Sequence, residues 1–204
     1  MNSITIVGIG PGALELVTPI ALKAIEDCDL IVAGKRNLKT FEHLGKEVLE
    51  FDSGIKDMIE KVEYLRTFKK VCIAVSGDPG FYSFLDAFIS KFDESELTVI
   101  PGISSFQYLF SKLKKSWKNF ELLSLHGRIF DDIDFNKREG VLFLTDKKNT
   151  PSVIATNLLE NGYCNMRMII GENLSYDDER ITISSPETIK SMEFSDLCVV
   201  VIER

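Results

Sequence analysis

An α/β fold in two domains is predicted by three features of the chain. Short continuous apolar runs alternate with stretches of helical spacing through the first half. A polar, basic segment from Lys112 to Lys118, with Trp117 inside it, interrupts that alternation. Behind it the alternation restarts, with shorter and more closely spaced strands. The expected architecture is an N-terminal parallel sheet (residues 1–115) and a C-terminal mixed sheet with antiparallel edges (residues 116–204). A boundary near Lys115 leaves an interdomain cleft, a common setting for a small-molecule site.

The elements follow in order. Ile4–Ile9 reads as a strand, Pro19–Asp27 as a helix, and Leu30–Ala33 and Glu47–Phe51 as strands. Ile55, Met58, Ile59, Val62 and Leu65 recur at helical spacing, which predicts a helix over Ile55–Phe68. Val71–Val75 is apolar throughout, as a strand covered on both faces must be. A helix over Phe81–Phe92, a strand over Leu97–Ile100 and a helix over Ser104–Leu113 complete the first half. In the second half, Phe120–Leu125, Val141–Thr145, Met166–Ile170, Ile181–Ile183 and Leu197–Ile202 read as strands, and Pro151–Asn161 as a helix.

With 204 residues, 45% hydrophobic and 27% charged, the chain can bury a core in each domain. A formal charge of −7 argues against a dedicated nucleic-acid binder, which presents a basic face. The start, MNSITIVGIG, lacks the basic and long apolar segments of a signal peptide, and no apolar run approaches a membrane span. Cys28, Cys72, Cys164 and Cys198 are scattered without metal-ligand spacing, so no metal site and no disulfide framework is expected. Cys72 and Cys198 lie in apolar strands and read as small buried hydrophobes. A cytoplasmic location is expected.

Gly8-Ile9-Gly10-Pro11-Gly12-Ala13 formally fits the dinucleotide fingerprint G-x-G-x-x-[GA]. Two observations oppose that reading. Pro19 would break a helix starting at Gly12, whereas Pro at the first helical position after a Thr18 N-cap is favourable. The second strand ends in Gly34-Lys35-Arg36, where the fold wants an acidic residue for the ribose. An NADP-dependent oxidoreductase with Arg36 on a 2′-phosphate stays open as an alternative. The glycines otherwise build a loop at which a ligand approaches the backbone.

Ser76-Gly77-Asp78-Pro79-Gly80 follows the buried strand Val71–Val75, at the end where open α/β sheets place ligands. Read alone it is an ordinary strand-to-helix turn. Pro101-Gly102-Ile103-Ser104-Ser105 repeats the arrangement after the next strand, with serines able to cap the following helix. Three small-residue loops on one rim are harder to explain as turns alone.

The ordered set GxGPG…TP, SGDPGF and PGISS resembles the tetrapyrrole methylases, the class III S-adenosylmethionine-dependent methyltransferases, over essentially the whole chain. Within that family, Ser124-Leu125-His126-Gly127-Arg128 and Gly171-Glu172-Asn173-Leu174-Ser175 resemble the cobalamin-pathway branch that methylates C5 of (cobalt-)precorrin-7. The resemblance implies a methyltransferase holding S-adenosylmethionine between the domains and releasing S-adenosylhomocysteine. It nominates Gly77, Asp78, Pro79, Ser104 and Ser105 as cofactor contacts, and more loosely Leu144, Thr145 and Asn173. The GxGPG loop, through Gly10 and Pro11, would then sit nearer the tetrapyrrole.

Such a substrate carries many carboxylates, so cationic partners are required, preferably Arg. Lys35, Arg36 and Arg128 are the candidates, with solvated loop charges as the plainer reading. His126 is the candidate general base, against a structural hydrogen-bonded histidine. Lys112, Lys114, Lys115 and Lys118 read as a solvated face, Trp117 as packed between the domains, and His43 as a loop residue without a role. Family relatives that methylate ribosomal RNA or a translation factor (diphthine-type) are alternatives, as is a non-catalytic corrinoid-binding module. The resemblance also suggests a homodimer and, given the chain length, a separate C15-methylating, decarboxylating partner.

Overall fold

The computed structural model describes residues 1–51, 54–125 and 139–204. The chain clusters into two units, Met1–Ser104 and Ser105–Arg204.

In the first unit, strand β1 (Ile4–Gly8) leads through a loop with one short 3-10 turn, Leu14–Leu16, to helix α1 (Pro19–Glu26). Strand β2 (Leu30–Ala33), helix α2 (Lys35–Thr40), strand β3 (Glu47–Glu50) and helix α3 (Ile55–Leu65) follow. Strand β4 (Val71–Val75), helix α4 (Leu85–Ile89) and strand β5 (Leu97–Ile100) complete it. The sheet order is β3-β2-β4-β1-β5, and every pairing is parallel.

Period-two alternation explains the two cores of this sheet. Val7, Ile31, Cys72 and Ala74 face a cluster with Ala21 and Ile25 of α1, Leu38 of α2 and Phe41. Ile4, Ile6, Leu30, Val32, Ile73 and Val75 face the other, with Met58, Ile59 and Val62 of α3 and Phe88 of α4.

The second unit opens with helix α5 (Ser105–Leu113) and strands β6 (Phe120–Ser124) and β7 (Gly140–Leu144). Helix α6 (Pro151–Glu160), strands β8 (Arg167–Glu172) and β9 (Arg180–Ser184), helix α7 (Pro186–Ile189) and strand β10 (Cys198–Glu203) follow. The order is β6-β7-β10-β8-β9. The β6–β7 pairing is parallel and the rest antiparallel, so the sheet is mixed with one parallel edge, not two antiparallel ones. Val141, Phe143, Met168, Ile170, Val200 and Ile202 form a core with Ile154, Ala155 and Leu158 of α6. On the other face α5 packs against β10, with Leu109 and Phe110 buried.

Helix α1 starts where Pro19 requires it: the Thr18 hydroxyl accepts the Ala21 N–H at 3.3 Å. The helix expected over Phe81–Phe92 is shorter. Phe81 donates its N–H back to the Asp78 carbonyl at 3.2 Å, and Tyr82 has φ 50, so the turn consumes residues up to Phe84. Helix α5, placed before the expected boundary at Lys115, belongs by its packing to the second unit.

The lysine run is not a purely solvated face. Lys115 Nζ lies 2.6 Å from both oxygens of the buried Glu203, and Lys112 pairs with Glu179 at 3.1 Å. Trp117 is 43% exposed, its ring edge-on to Phe106 of α5. His43 sits in a 3-10 turn, Glu42–Leu44. Among the described residues no helix is long and apolar enough to cross a membrane, and no acidic, His or Cys cluster is placed to hold a metal ion.

Candidate active site

Because β1 lies between β4 and β5, the loops leaving their carboxyl ends stand side by side. Backbone contacts fuse them. The Gly77 N–H donates to the Gly10 carbonyl at 2.7 Å, and the Gly10 N–H to the Gly77 carbonyl at 3.3 Å. Both glycines have positive φ, 78 for Gly10 and 71 for Gly77, a region costly to residues with a Cβ.

Gly8 and Gly102 are required for a different reason, close approach. A Cβ on Gly8 would stand 2.5 Å from the Gly102 nitrogen and from the Gly77 oxygen. A Cβ on Gly102 would stand 2.6 Å from the Gly8 carbonyl carbon and collide with the Gly77 oxygen.

Asp78 links two of the loops through its side chain. Its Oδ1 accepts the Gly80 N–H at 2.8 Å and its Oδ2 the Gly102 N–H at 3.1 Å. Pro79 beside it is buried, as are Gly10, Pro11 and Ser104. The structure therefore brings Gly10, Pro11, Gly77, Asp78, Pro79 and Ser104 together on one rim of the first unit.

Lys35 and Arg36 occupy the first turn of α2, behind Gly34, rather than an irregular loop. Both are exposed. Arg36 Nη2 reaches Ser76 Oγ at 3.4 Å, which sets its guanidinium beside the Ser76–Gly80 loop.

In the second unit the nominated residues make structural hydrogen bonds through both side chain and backbone. The Thr145 hydroxyl donates to the Cys198 carbonyl at 2.8 Å. The Leu144 carbonyl accepts the Leu125 N–H at 2.9 Å, just past the last pair of β6 and β7. Asn173 follows β8 with φ 44, its N–H on the Leu197 carbonyl at 3.0 Å. Its Nδ2 donates to Asp178 Oδ2 at 2.7 Å, and its Oδ1 accepts from Ser195 Oγ at 3.2 Å. Ser105 begins α5 and is half-buried. His126 and Arg128 lie outside the described residues.

Two acidic residues of this region are not among the residues nominated from the motifs. Glu172, 3% exposed, takes Arg180 Nη2 at 2.9 Å and the Ser195 N–H at 3.1 Å on one oxygen, and Arg180 Nε on the other. Glu179 accepts the Ser175 N–H at 2.7 Å. Glu172 sits inside the segment Gly171–Ser175, so a residue-by-residue reading of that motif would have found it.

The model of the family Tetrapyrrole (Corrin/Porphyrin) Methylases matches residues 3–190. The chain belongs to the tetrapyrrole methylases. It is 34% identical over 178 residues to the cobalt-precorrin-7 C(5)-methyltransferase of Salmonella typhimurium, covering 87% of this chain and 88% of that one. In fold it is similar to the precorrin-6Y methylase of Archaeoglobus fulgidus, with TM-score 0.76, 24% identity, and coverage of 99% and 98% of the two chains. It is also similar to the Thermus thermophilus uroporphyrin-III C-methyltransferase solved with S-adenosylhomocysteine, with TM-score 0.81, 18% identity, and coverage of 99% and 92%. For this tetrapyrrole methylase, then, the GxGPG loop is not a dinucleotide turn. It closes on Gly77, and the α-helix behind it waits until Pro19.

Proposed function

We propose that the protein is an S-adenosylmethionine-dependent C-methyltransferase of corrin biosynthesis that methylates C5 of (cobalt-)precorrin-7. The observation that carries this reading is the fusion of three small-residue loops into one rim, in a chain so similar to the Salmonella enzyme. The rim suits the methyl donor. Its glycines let the three loop backbones pack directly on one another, and it builds no helix N-terminus at Gly12 for a pyrophosphate.

When bound, S-adenosylmethionine supplies a sulfonium methyl for in-line transfer to an electron-rich ring carbon. The chain's contribution is position and exclusion of water. Gly77, Asp78, Pro79, Ser104 and Ser105, with Leu144, Thr145 and Asn173, hold the donor. Asp78 acts by keeping two loops in register, since its oxygens are taken by Gly80 and Gly102. Lys35 and Arg36 take substrate carboxylates, with Arg128 as a third cation, and Gly10 and Pro11 line the substrate side. His126 is the candidate base for the ring proton. A cytoplasmic homodimer working beside a separate C15-methylating enzyme completes the reading.

Calorimetric titration with S-adenosylhomocysteine beside NADP tests it. Binding in the micromolar range with no NADP response is expected, followed by methyl transfer to precorrin-7 assayed with and without cobalt. NADP binding without a homocysteine signal would overturn it.

A further inference from the structure

The turn after β8 carries two non-glycine residues in the left-handed region, Asn173 with φ 44 and Ser175 with φ 70. Such backbone persists only where its surroundings over-determine it. On one side Glu172 takes the Ser195 N–H at 3.1 Å, and the Ser195 hydroxyl donates to Asn173 Oδ1 at 3.2 Å. On the other side stands Glu179. Its Oε2 accepts the Ser175 N–H at 2.7 Å, and its Oε1 pairs with Lys112 of α5 at 3.1 Å. The Lys112 ammonium in turn lies 5.1 Å from the centre of the Tyr108 ring on the same helix. Partial burial raises the Glu179 carboxyl, but the Ser175 N–H, Lys112 and Tyr108 prevail and hold it below the ordinary carboxylate value. It is therefore ionised at neutral pH and a strong acceptor for the turn.

This places one carboxylate between the turn that carries Asn173 and the helix that begins at Ser105, two positions nominated for the donor. We infer that Glu179 is a positioning residue for the methyl donor: through the Ser175 N–H, braced by Lys112, it holds the 173–175 backbone in the geometry on which donor contact at Asn173 depends. The inference rests on the reading of Asn173 as a donor contact. Glu172 holds the same turn through a hydroxyl relay, whereas Glu179 touches the left-handed backbone directly.

The test compares Glu179→Ala, Glu179→Asp and Glu179→Gln in the full chain. It measures S-adenosylhomocysteine affinity by calorimetry, KM for S-adenosylmethionine, kcat at saturating donor, and Tm. Gln still offers an oxygen to the Ser175 N–H, while Asp keeps the charge but is one methylene too short. Glu179→Ala and Glu179→Asp are expected to raise Kd and KM about tenfold with kcat within about twofold, and Glu179→Gln to restore both to within about threefold. Wild-type affinity in Glu179→Asp, or a fall in kcat at unchanged KM, would overturn the inference. If Glu179→Ala does not fold, the Asp and Gln pair decides. A wild-type protein that binds no S-adenosylhomocysteine would instead overturn the functional reading, whereas wild-type binding left unchanged by Glu179→Ala defeats only this inference.

Discussion

The Asp78 carboxylate accepts the backbone N–H of Gly102 at 3.1 Å, joining the loop behind β4 to the loop behind β5 across the strand between them. Its second oxygen closes its own loop on Gly80 at 2.8 Å. One half-buried side chain thus sets the spacing of two backbone segments on the rim.

Asp78→Ala removes both acceptors and leaves the Gly102 N–H without this partner. A loss of about 1–3 kcal/mol is expected, read as a lower urea midpoint at unchanged m. S-adenosylhomocysteine affinity should fall with it. A variant with wild-type midpoint and Kd would show that the two loops hold their spacing unaided.

At Gly8 and Gly102 the neighbours that a methyl group would meet are backbone atoms, which cannot rotate away. Gly102→Ala should cost about 1–3 kcal/mol or more and abolish donor binding. Gly34→Ala, where nothing lies within 4 Å, is the control and should change stability by less than about 1 kcal/mol. Equal melting temperatures for the two variants would contradict the close packing of the rim.

Arg36 is exposed and tethered to Ser76 by one long contact, so its removal should leave the fold intact. Arg36→Ala is expected to raise KM for the tetrapyrrole about tenfold while Kd for S-adenosylhomocysteine stays within about twofold. Steady-state kinetics with both substrates varied separates the two. An unchanged tetrapyrrole KM would remove Arg36 from the substrate clamp.

Lys115→Met strips the nearest cation from Glu203, whose side chain is 8% exposed. Breaking a fully buried pair costs about 3–5 kcal/mol. Here the lysine is 36% exposed and Arg167 lies 3.5 Å from the same carboxylate, so solvent and the second cation reduce the loss to about 1–2 kcal/mol. Chemical denaturation of the variant measures it, and no change would assign the compensation to Arg167.

Burial pushes the Cys198 thiol up to about 12, against an ordinary value of 9.0. The Cys72 thiol is also raised, by its hydrogen bond with the Cys28 thiol and by burial. A raised folded-state value means that the stabilisation is full below about pH 9 and is lost as pH rises through the window from 9 toward 12. Denaturation midpoints should therefore fall on the alkaline side, and less steeply in Cys198→Ala. At pH 8, iodoacetamide should label exposed Cys164 quickly and the three buried thiols only on unfolding. Rapid labelling of Cys198 in the folded protein would contradict its burial.

Much of the fold was legible because buried strands announce themselves. Leu30–Ala33 and Val71–Val75 are buried apolar runs closed by Gly or Ser, and their ends coincide with the strands found. Helix α2 was not legible, since KRNLKT buries only Leu38 and shows no apolar stripe. Helix α7 is a single short turn behind Ser185-Pro186, with too few residues for a period to appear. At the site, glycine and proline marked the three loops, because close approach and positive φ restrict residue choice. The pairings of Asp78 with Gly102, Glu172 with Ser195 and Lys115 with Glu203 left no such mark. Each depends on chain segments that only the folded sheets bring together.

The place of β1 between β4 and β5 also sets a timetable for synthesis. Its only two neighbours in the sheet lie at residues 71–75 and 97–100. During synthesis β1 therefore waits for its first pairing partner until Val75 has been made, roughly 3–13 s at ordinary elongation rates, and longer for its second. Gly8, Gly77 and Gly102 can meet only after the last of them has emerged. The rim is thus assembled at the end of the first unit's folding, and until then Ile4–Gly8 lacks at least one of its two strand neighbours.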